Sequence, residues 1–134
     1  MKSKLILALI TILFFQCSPD KKKAIIGKWK IDSVYTYYNG FHFTRKDVGD
    51  EPLIEYLQDG KLKMTRGPES RMFAFEIDAS DTLIHRTREQ REMEKFVIQR
   101  VDADKLILRR DMRPIFKSMN QERYEVRYLS KQVQ

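Results

Sequence analysis

The sequence predicts an all-β fold, an up-and-down antiparallel barrel of about eight strands, and three observations carry the prediction. Short segments alternate apolar and polar residues at a period of two. Turn residues separate those segments at fairly regular spacing, as in sandwiches and barrels. Only one segment fits a helical period as well as a strand.

Taken in chain order, "KWKIDSVYTYY" alternates strictly, with Trp29, Ile31, Ser33, Tyr35 and Tyr37 on one face. The stretch Asn39 to Glu51 holds Gly40, Gly49, Phe41 and Phe43 without clear alternation and reads as a flap over one barrel end. "LIEYLQ" and "KLKMTR" flank Asp59-Gly60, a hairpin signature because this pair tolerates the positive φ that tight hairpin turns need. "MFAFEID" puts Phe73, Phe75 and Ile77 on one face, and "TLIHRT" follows across a turn. "EKFVIQRV" and "KLILRR" flank "DADK", a second hairpin. Ahead of it, "REQREMEK" has helix-forming composition, but the β-rich run Phe96 to Ile98 leads straight into a turn and favours a strand over 88–100. A helical turn is expected at Pro114 to Asn120. "RYEVRYL" sets Tyr124, Val126 and Tyr128 against Arg123, Glu125 and Arg127.

Counting alternation from Trp29, the expected interior takes Ile31, Tyr35 and Tyr37 from the first strand and Ile54, Tyr56 and Met64 from the next hairpin. Phe73, Phe75, Leu83, Phe96, Ile98, Leu106 and Leu108 continue the set. Tyr124, Val126 and Tyr128 complete it. Arg110 follows Leu106 and Leu108 in phase, and His85 follows Leu83, so both aim inward. A buried guanidinium needs an anion: an inward carboxylate such as Glu76 or Glu125, solvent at the rim, or an acidic head group.

The N-terminus is a targeting segment. Lys2 and Lys4 precede an apolar run, Leu5 to Phe15, interrupted only by Thr11 and followed by Cys17, the only cysteine. At about 1.5 Å per residue the run covers roughly half of a ~30 Å hydrocarbon layer, too short to span it. It resembles a bacterial lipoprotein signal, in which the cysteine becomes the acylated first residue of the mature chain. The other reading is an ordinary small cysteine after an uncleaved leader. The division is then 1–16 signal peptide, 17–25 lipidated cysteine and tether, and 26–134 a single domain, as the length of 134 residues allows.

Composition excludes more than it assigns. The net charge of +7, two units of it in the leader, comes from 26 basic and 19 acidic residues that are interspersed, which reads as a solvated surface and not as a nucleic-acid stripe. "RMFAFEI" mimics an RNA-stacking strand but lacks its glycine and crossover helices. His42 and His85 with one cysteine cannot build a four-ligand zinc site. No phosphate loop, nucleophile motif or spaced carboxylate pair appears, so neither catalytic residues, nor a metal, nor a cofactor is expected.

Gly27-Lys28-Trp29, a G-x-W opening the first strand, followed by "IEYLQDGKLKM", "KFVIQRVDADKLILR" and "YEVRYLSK", is similar to the small lipocalin-like envelope lipoproteins of the Bacteroidota over residues 26 to 131. The resemblance implies a barrel with Trp29 across its closed end, and attachment through Cys17 to the membrane, with the domain in the periplasm. It also implies capture of a small amphipathic or hydrophobic ligand. Ser18, where an aspartate would retain a lipoprotein at the inner membrane, favours the outer membrane. Candidate ligand contacts are Arg110, His85, Tyr35, Tyr37, Tyr56 and Tyr128. The alternative is a barrel filled by its own side chains, serving as a protein-interaction or envelope-assembly module.

Overall fold

The computed structural model describes residues 20–116 and 120–133. The expected leader, Cys17 and part of the expected turn at Pro114 to Asn120 lie outside those residues. A short helix α1 (Lys21–Ala24) precedes β1 (Gly27–Tyr38), β2 (Phe41–Arg45), β3 (Leu53–Tyr56), β4 (Lys61–Arg66) and β5 (Glu69–Ile77). Then come β6 (Thr82–Arg86), β7 (Glu92–Val101), β8 (Lys105–Asp111) and β9 (Arg123–Lys131). The sheet order is β2-β1-β3-β4-β5-β6-β7-β8-β9, and β1 also pairs with β9. Eight antiparallel strands therefore close a barrel, the lipocalin-like architecture, while β2 stands outside the closure.

Local chemistry explains the hairpins. Asp102 Oδ1 accepts from the backbone N–H groups of Asp104 at 3.2 Å and Lys105 at 2.9 Å, which builds the turn within "DADK" from its own side chain. At the tip of β1–β2, Asn39 and Gly40 carry φ of 42° and 91°, the paired positive values of a two-residue hairpin turn.

The closed end is built around Trp29, which has no exposed surface. Its indole Nε1 donates to the carbonyl of Ile25 at 2.7 Å, so the residue that follows α1 is drawn under the barrel as a plug. Asp20 caps α1 by accepting from Lys22 N at 3.1 Å. Gly27 and Trp29 share Lys131 as a neighbour. Gly27 has a φ of 130°, and a Cβ there would stand 2.6 Å from Cε of Lys131, whose ammonium lies 5.1 Å from the Trp29 ring centre.

Three sequence expectations change. A bulge between Ile31 and Ser33 against β9 inserts Asp32, and a one-residue slip turns every later side chain over. Val34 is consequently buried, whereas Tyr35 and Tyr37 lie on the outer face. On β9 the phase is opposite to that expected: Leu129 and Glu125 are buried, and Tyr128 is 40% exposed. Tyr124 stacks on Tyr37 outside, with ring centres 4.9 Å apart. Val126, also outward in phase, is covered, lying in register between Tyr35 and Arg109. The irregular stretch Asn39 to Glu51 contains strand β2, while the strand favoured over 88–100 is present as β7 from Glu92 onward.

The remaining core follows the alternation. Ile54, Tyr56, Phe75, Leu83, Phe96, Ile98, Leu106 and Leu108 are buried as expected, with Leu62 and Val101 added, while Met64 and Phe73 are half-buried against them.

Candidate functional site

Five ionisable side chains enter the barrel above this apolar floor. His85 continues Leu83 on β6, Glu94 precedes Phe96 and Ile98 on β7, and Arg110 continues Leu108 on β8. Glu125 and Arg127 come from the inverted phase of β9. Arg110 binds Glu94 through Nη1 and Glu125 through Nη2, the latter at 3.1 Å. Arg127 donates from Nε to Glu125 Oε1 at 2.8 Å, and its Nη2 stands 3.6 Å from Glu94. The guanidinium of Arg127 also lies 4.9 Å from the centre of the Phe96 ring, a cation–π contact.

Two acids and two guanidinium groups thus balance inside the wall. His85, with no exposed surface, shares a 3.0 Å hydrogen bond between Nε2 and the buried Tyr56 hydroxyl. Burial pushes the Tyr56 phenol well above its usual range, so its O–H stays available to donate to Nε2, and Nδ1 then carries the imidazole proton. Nδ1–H faces Glu94 Oε2 across 3.6 Å, longer than an ordinary hydrogen bond but close enough for the N–H dipole to favour the carboxylate. Burial lowers the His85 pKa, and the imidazole is neutral at pH 7. Glu94 is held down to about 2, first by the His85 imidazole beside it and then by Arg127 and Arg110, against the opposing effect of its own burial.

The sequence-predicted contacts divide. Arg110, His85 and Tyr56 meet in or beside this network. Tyr35, Tyr37 and Tyr128 are on the other side of the wall, where Tyr35 lies against His42 and Tyr124, with ring centres 5.9 Å and 6.2 Å away. Of the two carboxylates considered for Arg110, Glu125 turns inward, whereas Glu76 binds Arg86 at 2.6 Å. Glu94 and Arg127 are the functional-site residues that sequence reasoning missed. Glu94 was legible, because it shares the phase of Phe96 and Ile98. Arg127 shares the phase of Leu129, and that signal was masked by the tyrosines of the competing face.

The mouth above the network is shallow. A cleft of about 240 Å³ opens between Pro52, Met64, Arg66, Glu69, Arg71 and Phe73. A larger depression of about 660 Å³ runs beside α1 between Lys22, Lys23, Ile26 and Gln58. Beside the mouth, β2 carries Phe41 and Phe43, 78% and 62% exposed. Among the described residues no three of His, Cys, Asp or Glu are placed to hold a metal ion, and no described helix is long and apolar enough to cross a membrane. The arrangement supplies a rigid, charge-balanced interior and a rim rich in aromatic and basic side chains. Comparison with protein-family models, curated proteins and solved structures returns no match.

Proposed function

We propose that this chain is a lipid-anchored envelope protein of the lipocalin-like kind, held at the outer membrane with its domain in the periplasm. Its barrel works without catalysis, as an interaction or assembly module. One observation carries the choice of module over ligand carrier: the interior is already occupied. Trp29, Tyr56, Leu62, Phe96 and their neighbours fill the lower half, and Arg110, the residue most able to hold an acidic head group, is countered by Glu94 and Glu125. Small barrels are commonly filled in this way, and the mouth cleft is smaller than the ~300 Å³ at which ligand pockets begin. The apolar run ending at Cys17 supports the anchor. Asp20 is three residue steps from Cys17, and about 10 Å of chain would hold the closed end at the membrane with the mouth directed away.

A second reading has its own support. Met64 and Phe73 beside Arg66 and Arg71 suit a small anionic amphiphile seated at the mouth. Native mass spectrometry of the full chain, extracted from the membranes of a diderm host, tests both. The module reading expects an acylated chain beginning at Cys17 with no retained small molecule, and an unacylated Cys17→Ala variant. A co-purifying amphiphile released by Arg71→Glu would replace it with the second reading.

A further inference from the structure

We propose that the depression at the closed end is a phospholipid head-group site, which takes the phosphate of a phosphatidylethanolamine on Lys22 and Lys23 and its ammonium on Asp20. The depression, about 660 Å³, runs beside α1 and is lined by Asp20, Lys22, Lys23, Ile26 and Gln58. Lys22 and Lys23 are exposed and have no ion-pair partner among the described residues, whereas Lys21 is held by Asp81 at 2.6 Å. Asp20 spends Oδ1 on the Lys22 N–H, and its carboxylate has no cationic partner among the described residues. Ile26 adds a half-buried apolar side chain, which suits the glycerol carbons behind the phosphate.

Chain length selects a membrane lipid over a soluble ligand, and this choice rests on the lipid-anchored reading. Asp20 is three residue steps from Cys17, about 10 Å of extended chain, and the head-group layer on one side of a bilayer is about 5–7 Å thick. An acylated Cys17 starts at the inner edge of that layer, so Asp20 can rise little further than its outer surface. Nor can α1 swing aside. Lys21 ties it to the β5–β6 turn, and Ile25, which follows it, has no exposed surface and accepts from the Trp29 indole. The depression therefore meets head groups whenever the anchor is inserted.

Charge selects the head group. The acids of the adjoining turns are engaged: Asp81 by Lys21, Asp59 by Lys61 at 2.7 Å, and Asp78 by the Ser80 hydroxyl at 2.8 Å and Thr82 N at 3.0 Å. Two ammonium groups and one carboxylate are left around the depression, so its complement carries both signs. A head group with a phosphate alone would leave Asp20 facing an anion, and choline would bring a cation with no N–H to donate. Ethanolamine carries its ammonium two methylenes from the phosphate, and its N–H donors suit a carboxylate. The contact exchanges freely across an open depression, so a chain extracted from the membrane need retain no lipid.

The test uses the full chain, extracted from a diderm host into dodecyl maltoside micelles. Phosphatidylethanolamine, phosphatidylcholine or phosphatidylglycerol is added while the amide resonances of Lys23, Ile26 and Gln58 are followed. The ethanolamine lipid should shift them saturably, with half-saturation at a several-fold lower mole fraction than either of the others. Asp20→Asn keeps the α1 cap and should erase that preference. Lys22→Gln with Lys23→Gln should weaken binding of the ethanolamine lipid about tenfold or more. No saturable shift, equal half-saturation by the ethanolamine and choline lipids, or an unchanged affinity in the double lysine variant would overturn the proposal. Equal shifts from soluble phosphoethanolamine at matched concentration would overturn the choice of a membrane lipid. The mass of the same sample reports acylation of Cys17, so a missing anchor and a missing head-group site are told apart.

Discussion

Glu125 and Arg127 are two positions apart on β9 and face each other inside the barrel, joined by a 2.8 Å hydrogen bond from Arg127 Nε. Arg110 grips the same carboxylate from β8 at 3.1 Å. One buried acid therefore serves two guanidinium groups, and its removal leaves both under-compensated.

Breaking a buried ion pair by removing one partner typically costs about 3–5 kcal/mol, whereas replacing the pair by apolar residues is often neutral. Glu125→Gln should accordingly lose about 3 kcal/mol in urea denaturation. The double variant Glu125→Leu with Arg127→Met should recover most of that loss. A single variant as stable as wild type would remove the network from the stability of the fold.

Acid should unfold this protein in two stages. The folded His85 pKa is lowered below its ordinary 6.5, so the unfolded chain binds a proton first and stability falls as pH drops through 6.5. The folded Glu94 pKa is about 2 against 4.5. Its contribution, on the order of 3 kcal/mol, is complete above pH 4.5 and is lost as pH falls towards 2. Thermal midpoints measured across pH 2 to 8 should show both slopes. His85→Gln should flatten the upper one, and an unaltered profile in that variant would contradict the assignment.

Trp29 and Gly27 should fail for different reasons. Trp29→Ala opens the closed end and should cost about 3–5 kcal/mol. Trp29→Phe keeps most of the volume but strands the Ile25 carbonyl, at about 1–3 kcal/mol. Gly27→Ala meets a backbone conformation of φ 130° that side chains rarely adopt, with a cost of about 1–3 kcal/mol. Chemical denaturation orders the three, and a Gly27→Ala protein of full stability would mean that the first strand starts differently.

Asp32 tests the bulge. Its carboxylate accepts from the Ser130 hydroxyl at 2.9 Å on the exposed side, so Asp32→Ala should cost about 1 kcal/mol. Deleting the residue outright removes the bulge and makes the pairing of Ile31, Ser33 and Val34 with β9 continuous, so Val34 should stay inward and Tyr35 outward, and the shortened chain should fold cooperatively. A deletion variant without dispersed amide resonances would contradict the assignment of Asp32 as the extra residue.

How much was legible follows the range of the forces involved. The hairpins at Asp59-Gly60 and "DADK", the run of strands and the core positions Trp29, Leu83, Phe96, Ile98, Leu106 and Leu108 rest on turn chemistry and local alternation, which neighbouring residues settle among themselves.

The interior ions depended on partners far away in sequence. "RYEVRYL" offers two faces, and apolar preference points to Tyr124, Val126 and Tyr128. The barrel takes the other face because Arg110 on β8 and Glu94 on β7 neutralise Glu125 and Arg127, a gain that appears only when three strands meet. Asp32 decided the rest. One inserted residue leaves the composition of β1 unchanged yet reverses its later half, and nothing in the alternation of "KWKIDSVYTYY" distinguishes an unbroken strand from a bulged one. Local sequence determined where the strands and turns form; tertiary pairing across the closed sheet decided which face of each strand is inside.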